Sequence, residues 1–406
     1  MQGAGVPRGK DQRLAGLIPV RYHKMRTLSH PSFLTATVFI ASAGMLLVGL
    51  WPFDFHAANQ VAAAAGGQGL IFGSTPEAHS SSHGGIIFNW HPLRCDGPNA
   101  CVEGELTLEI QLRALTEKPG CVQRIIEVRQ ENGAAVFRVG QWRSFLMVSV
   151  LSAGASRENA AMEVGLRDAL VAGNARFVTI SSNREGTTTY LDGRVADSYP
   201  GLCVLKPEET LAGRIMYLGN TLDLECPWSG EIMAFSVYGR ALQPDEVVGK
   251  AALKASGFSA DFENGSRNAL AYYRFGPPTG ELIPDLSGSG NHLRIPARLV
   301  FDKKALKSSS FSQLTISDAA VNLFGFIPFG SLVALWLQSR GGGHAGKSAA
   351  LALCAGISLS LCIELLQVYL PGRDSSMADL IMNTIGTGIG AFGAMVAGWR
   401  SRLNLN

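Results

Sequence analysis

Four stretches of this 406-residue chain run for about twenty residues with almost no charge, and nothing else in the sequence restricts its fold as much. They are Phe33 to Phe53, Ala319 to Gln338, Ser348 to Leu370 and Leu380 to Gly398. At about 1.5 Å per residue, each is long enough to cross a hydrocarbon core roughly 30 Å thick. A cleaved signal peptide would have an apolar region of about 7–15 residues with small residues close behind. The first stretch is longer and its small residues, Ala62 to Ala65, come later, so it is expected to remain as an anchor. Only 17% of the residues are charged and 47% are hydrophobic, which fits a chain partly solvated by lipid. The net charge of +3 is too even for a nucleic-acid binder, which needs a concentrated basic face.

Lysine and arginine in the short flanks set the expected orientation. The N-terminal segment carries Arg8, Lys10, Arg13, Arg21, Lys24 and Arg26. The second and third spans are joined through Arg340 and Lys347, and the chain closes with Arg400 and Arg402. Four crossings place all of these on the cytoplasmic side and leave only Arg373 in the short loop on the other. The expected organisation is a basic cytoplasmic segment at 1–32, a span at 33–53, an extracytoplasmic domain at 60–317, three helices within 318–398, and a cytoplasmic tail at 399–406.

The extracytoplasmic segment is slightly acidic, with 24 Lys/Arg against 26 Asp/Glu. It alternates with a period near two between turn residues, as in Glu105 to Leu112, Ala135 to Val139, Phe145 to Leu151 and Phe177 to Ser181. Many short strands with glycine-rich turns point to an antiparallel β-sandwich. Thr187 to Gly193 (TTTYLDG) ends in an Asp-Gly turn. With Met216 to Gly219 (MYLG), Trp228 to Asp245 (WSGEIMAFSVYGRALQPD), Leu270 to Phe275 and Pro284 to Asn291 (PDLSGSGN), it resembles the laminin-G-like, concanavalin-A-type jelly rolls over most of 85–300. Folds of that kind serve as glycan readers, adhesion modules or glycanases, so the resemblance does not select a reaction.

A retaining glycanase needs two carboxyl groups about 5–5.5 Å apart. Glu103, Glu105 and Glu109 share strand parity, but a solvated face accounts for them, and Asp223 with Glu225 is a poorer pair. Calcium is the cofactor such a fold admits. Asp192, Asp285 and Asn291 place hard oxygen donors in loops, although an aspartate in a tight turn is more often satisfied by its own backbone. His79, His83 and His91 could suggest zinc, but a Ser/His/Gly linker explains the first two. Among the seven cysteines, Cys95 with Cys101 is the first disulfide expected and Cys203 with Cys226 the second.

The spans at the C-terminal end carry polar residues on one face each. Asp318, Asn322 and Gly325 fall at i, i+4, i+7, as do Ser360, Glu364 and Gln367, and Asp379, Asn383 and Gly386. All lie at the expected outer ends, with Arg373 in the connecting loop. Ionisable groups within lipid default to a functional-site hypothesis, and interhelical polar glue is the plainer alternative. Gly386 and Gly390 form a Gly-x-x-x-Gly face for close helix approach, and Pro328 predicts a kink.

Asn322 with Phe326-Ile327-Pro328-Phe329-Gly330, Glu364-Leu365-Leu366-Gln367 with Pro371-Gly372-Arg373, and Asp379 with Asn383 and Gly386 resemble the VanZ-like membrane family, as does Leu50-Trp51-Pro52-Phe53. The domain between the first and second spans is then a large insertion. The resemblance implies a bacterial cell-envelope protein of the inner membrane, and that family is named for a member linked to teicoplanin resistance. It supplies no reaction.

The fold expected is therefore four transmembrane helices plus an extracytoplasmic all-β jelly roll. The expected function is non-catalytic binding of a glycan or envelope protein by the sandwich. Asn322, Glu364, Gln367, Arg373, Asp379 and Asn383 would contact a lipid headgroup or lipid-linked precursor. The alternatives are a membrane-embedded enzyme with Glu364 or Asp379 as acid/base, and a transporter subunit.

Overall fold

The computed structural model describes residues 31–73, 83–96, 100–117, 121–151, 160–206, 208–255, 268–308, 315–340 and 344–403. The basic segment up to residue 30, His79 and residues 97–99 between the first expected cysteine pair lie outside the described residues. The chain forms two compact units. One holds most of the long helices: up to Leu47, Thr315–Ser360 and from Leu380 onward. The other runs from Val48 to Leu314 and includes Leu361–Asp379.

The second unit is an antiparallel β-sandwich of two eight-stranded sheets. The first sheet has the order β1 (Val61–Ala63), β2 (Leu70–Phe72), β13 (Gly230–Tyr238), β4 (Leu106–Ala114), β9 (Ala175–Asn183), β10 (Gly186–Leu191) and β11 (Arg194–Pro200). In it β14 (Ala271–Arg274) also pairs with β13. The second sheet runs β15 (Leu282–Ile283), β16 (Leu293–Arg294), β3 (Ile87–Asn89), β12 (Ile215–Leu218), β5 (Gln123–Arg129), β6 (Ala135–Trp142), β7 (Phe145–Leu151) and β8 (Ala160–Leu166).

Alternation decides which side chains fill the space between the sheets. Leu106, Leu108, Ile110 and Leu112 of β4 point inward and meet Ile126, Val128, Phe137 and Val139 from the facing sheet, with Trp228 among them. Burying each such side chain contributes about 1.5–3 kcal/mol. The other face of β4 is not solvated as expected. Helix α2 (Pro244–Ala255) covers it through Val247 and Leu253, packed on Tyr190, Tyr238 and Tyr272. Glu109 is consequently 1% exposed. Its Oε2 accepts from the Tyr238 hydroxyl at 3.0 Å, and Lys250 lies 3.9 Å away. Burial pushes the Glu109 carboxyl above its ordinary range despite Lys250 and Tyr238, which pull it down.

Disulfides join Cys95 to Cys101 and Cys121 to Cys226. The second differs from the expected Cys203–Cys226 pairing. Cys226 lies beside the start of β5, where the Arg124 amide donates to its carbonyl at 3.0 Å, which brings Cys121 into reach. Cys203 stays reduced beside the Arg184 carbonyl.

Among the described residues four helices are long and apolar enough to cross a membrane: α1 (Pro31–Leu50), α3 (Ile316–Ser339), α4 (Ala345–Gln367) and α5 (Met377–Leu403). The first stops at Leu50 rather than continuing to Phe53, because Pro52 disfavours helical geometry at Trp51. Helix α3 continues through Pro328 without a break. Helices α3 and α5 meet backbone to backbone. A Cβ on Gly386 would lie 2.2 Å from the Leu323 carbonyl oxygen, and one on Gly390 2.0 Å from that of Ile327. Gly330 makes the reciprocal approach to Thr387. Lipid offers no hydrophobic drive for helix association, so this close packing of small residues holds the helices together.

Gly390→Ala is therefore expected to destabilise the helical unit by about 1–3 kcal/mol. It should lower the thermal midpoint of the detergent-solubilised protein. Gly393→Ala, whose added Cβ meets nothing within 4 Å, should leave that midpoint unchanged.

Candidate functional site

A pocket of about 700 Å³ opens where β3 meets the β15–β16 hairpin at the edge of the second sheet. Its wall includes Trp90, His91, Arg94, Glu281, Leu282, His292 and Arg294. Trp90 follows β3 and keeps 47% of its surface exposed, and Leu282 keeps 52%. The Arg294 guanidinium sits 4.3 Å from the centre of the Trp90 ring. It also donates through Nε and Nη2 to Glu281 Oε2, at 3.1 and 2.9 Å. An exposed indole, an apolar neighbour and several convergent polar groups in a cavity of this size are the features of a small-ligand site.

Buried side chains behind the wall fix its shape. Asp285, 7% exposed, accepts from the Tyr272 and Ser287 amides through Oδ1, and from the Ser287 hydroxyl and Asn291 amide through Oδ2. Asn291 then clamps Arg94 on both sides: its Oδ1 accepts from the Arg94 amide and its Nδ2 donates to the Arg94 carbonyl. The Asp285 amide donates to His292 Nδ1 at 3.0 Å, so neutral His292 carries its proton on Nε2. From the other side Asn89 donates to the His91 carbonyl and accepts from the Met216 amide.

These bonds reassign two of the three expected calcium ligands. Both Asp285 oxygens are occupied by protein donors, and Asn291 uses its amide on the backbone. Asp192 belongs to the β10–β11 turn, where it accepts from the Phe177 amide and Arg176. Among the described residues no group of three or more His, Cys, Asp or Glu could hold a metal ion. His91 lines the pocket, whereas His83 lies against Gly372.

The carboxylates weighed as a glycanase pair are each engaged separately. Glu103 pairs with Arg184 at 3.6 Å, Glu105 accepts from the Ala241 amide, and Glu109 lies under α2. Asp223 accepts from Thr221 and the Glu225 amide, and Glu225 faces Lys307.

The polar residues at the helix ends mostly bond to helix termini. Glu364 Oε2 accepts from the Ser376 amide at 2.6 Å, just before α5. The Ser376 hydroxyl in turn accepts from the Asp379 amide, which makes Ser376 the N-cap of that helix. Gln367 donates to the Gly49 carbonyl at 2.9 Å, and Arg373 donates to the carbonyls of Trp51 and Val48. Those two side chains thus satisfy the open carbonyls at the end of α1. Arg373 is engaged with backbone rather than with Glu364. In the helical unit Asn383 donates to Ser360 at 2.9 Å, and Asn322 is half-buried on α3.

Lys303 is the residue that pattern reading missed. It is 6% exposed, and its ammonium donates to the carbonyls of Leu370, Pro371 and Arg373. It also pairs with Asp374 at 3.1 Å. Lys307 reaches the same carboxylate at 3.0 Å, and the Lys307 amide donates to the Ser375 carbonyl. No periodicity or motif marks a lysine whose partners are backbone carbonyls 67 to 70 positions away. Trp90 had a faint signal, a tryptophan between Asn89 and His91 at the end of a short strand.

Residues 281–398 match the model of the VanZ/LLP1 family. The matched stretch begins at the pocket-lining hairpin and includes Lys303. No curated protein matches the chain. Solved structures with similarity include the carbohydrate-binding module CBM40 of the Ruminococcus gnavus IT-sialidase bound to α2,3-sialyllactose. It is 14% identical, with 37% of this chain and 83% of that one covered and a TM-score of 0.30. A putative carbohydrate-binding protein of Bacteroides ovatus is 13% identical, covering 58% and 62%, with a TM-score of 0.36. A heptameric SAP-like pentraxin of Limulus polyphemus is 15% identical, covering 47% and 85%, with a TM-score of 0.34.

Acid should loosen the Lys303–Asp374 junction. Burial alone would raise the Asp374 carboxyl, but Lys303 and Lys307 outweigh it and hold the group below its ordinary value of 3.8. The unfolded chain therefore takes up this proton first as pH falls. The stabilisation is full well above 3.8, begins to fall as the unfolded carboxyl takes up protons, and is lost as pH drops through the folded value. Part of the fall in unfolding midpoint between about pH 5 and about pH 3 should vanish in Asp374→Asn.

Proposed function

We propose that this chain is an envelope membrane protein whose β-sandwich binds a glycan in the pocket at Trp90, with the four helices as its membrane anchor. The observation that carries this reading is the pocket itself. Its exposed indole and Leu282 suit the C–H faces of a sugar ring, and the surrounding guanidinium, imidazole and carboxylate groups suit its hydroxyls. The fixed loop behind it means that little order must be created on binding.

Placement of the sandwich outside the cytoplasm rests on two observations. Arg340, Lys347, Arg400 and Arg402 lie at the helix ends that a four-crossing chain keeps inside. The disulfides at Cys95–Cys101 and Cys121–Cys226 belong to an oxidising compartment. The basic flanks and the resemblance to a bacterial envelope family support the inner membrane, with both termini cytoplasmic.

In this reading Glu364, Gln367 and Arg373 are structural groups that keep the helix ends in place. Glu364 Oε2 is already committed to the Ser376 amide. A role in glycopeptide resistance is the finer form of the proposal, and teicoplanin, itself a glycopeptide, belongs among the ligands tested.

The test is titration of the full-length protein in nanodiscs with envelope polysaccharides, peptidoglycan fragments and teicoplanin. The proposal expects saturable binding to a saccharide, weakened at least tenfold in Trp90→Ala. Failure of every saccharide to bind, or equal binding by Trp90→Ala, would contradict it.

A further inference from the structure

We infer that the saccharide taken by this pocket carries a carboxylate, which Arg94 and Arg294 read. The inference rests on the glycan-binding reading above and narrows it to acidic sugars.

The donors and acceptors facing the pocket are unequal. Arg94 and Arg294 each carry a permanent positive charge, and His292 presents an Nε2–H because its Nδ1 is occupied by the Asp285 amide. Among the described residues Glu281 is the one carboxylate in the wall. A neutral sugar offers hydroxyls that both donate and accept, and would leave much of this donor capacity unused. A ligand carboxylate is acceptor-only, carries the opposite charge and matches the planar fork of a guanidinium.

Both arginines have capacity left for it. The Arg294 Nε and Nη2 groups converge on a single Glu281 oxygen, which leaves its Nη1 edge and the second Glu281 oxygen for a ligand. Arg94 engages Asp96 through Nη2 at 2.6 Å, with both side chains 62% exposed. An exposed pair of that kind contributes little and exchanges readily. The two arginines differ in what holds them still. Asn291 pins the Arg94 backbone from both sides, and the Trp90 ring supports the Arg294 guanidinium at 4.3 Å. Arginine on an aromatic face beside an apolar contact lets one ligand place its ring on Leu282 and Trp90 while its acid group meets the guanidinium groups.

The experiment compares acidic saccharides with their carboxyl-reduced counterparts, which keep the ring and hydroxyls but lose the charge. The probes are oligogalacturonate, sialyllactose and a muramic-acid-containing peptidoglycan fragment, with a phosphodiester-bearing teichoic acid as a second anion. Each is titrated into the full-length protein in nanodiscs. At least one carboxylated probe should bind ten or more times more tightly than its reduced form. Arg94→Gln should erase that ratio while keeping the residual affinity for the reduced form, which rests on Trp90. Arg294→Gln should act in the same direction, and the ratio should shrink as salt is raised.

Equal affinity for acidic and reduced forms would overturn the carboxylate inference and leave the glycan reading standing. A preference for the teichoic phosphodiester over every carboxylate would also overturn it. Binding of no saccharide at all would remove both. An Arg94→Gln variant that keeps the full ratio would show that the acid is read elsewhere.

Discussion

The Asp285 carboxylate organises the face of the sandwich where the pocket lies. Four donors converge on its two oxygens, from Tyr272, Ser287 and Asn291. Removing the acceptor would strand those groups in a buried site, where each unsatisfied donor costs about 1–3 kcal/mol. Because Asn291 is held this way, its side chain is free to clamp Arg94, and His292 turns its donor nitrogen outward. One buried acid thus holds the loop that carries part of the pocket wall. Its wall comes from residues far apart in sequence, 90–94 and 281–294, which β3 and β16 bring side by side.

The helical region follows a different economy. Within lipid the strongest contacts are steric, so Gly386, Gly390 and Gly330 decide how closely α3 and α5 approach. Polar side chains concentrate where helices end and backbone groups lose their intrahelical partners. Gln367 and Arg373 serve the end of α1, while Glu364 and Ser376 serve the start of α5. Lys303, from the segment after the sandwich, supplies the same service to the loop beyond α4. The family match that begins at residue 281 takes in this lysine together with the loop it holds.

The spans and the sandwich were legible because lipid and a two-sheet core impose simple periodicities: about twenty uncharged residues, or alternation as in Leu106, Leu108 and Ile110. The close glycine face was legible for the same reason. Partners that depend on tertiary pairing were not. Asp285 and Asn291 look like cation ligands, because a turn rich in oxygen donors has the same composition whether a metal or backbone amides will satisfy it. Glu109 looks solvated because its strand alternates, and only α2, which follows β13, covers it. Cys226 could have paired with several cysteines until β5 and the segment before β13 were placed together.

The central claim is that the Asp285–Asn291 loop is held by protein donors and shapes a saccharide pocket without a cation. Saccharide binding by the full-length protein, measured in calcium and again after chelation with EDTA, tests it most directly. The account predicts the same affinity in both. Binding lost in EDTA and restored by calcium would contradict it, since the loop oxygens would then belong to the ion rather than to the four donors of the protein.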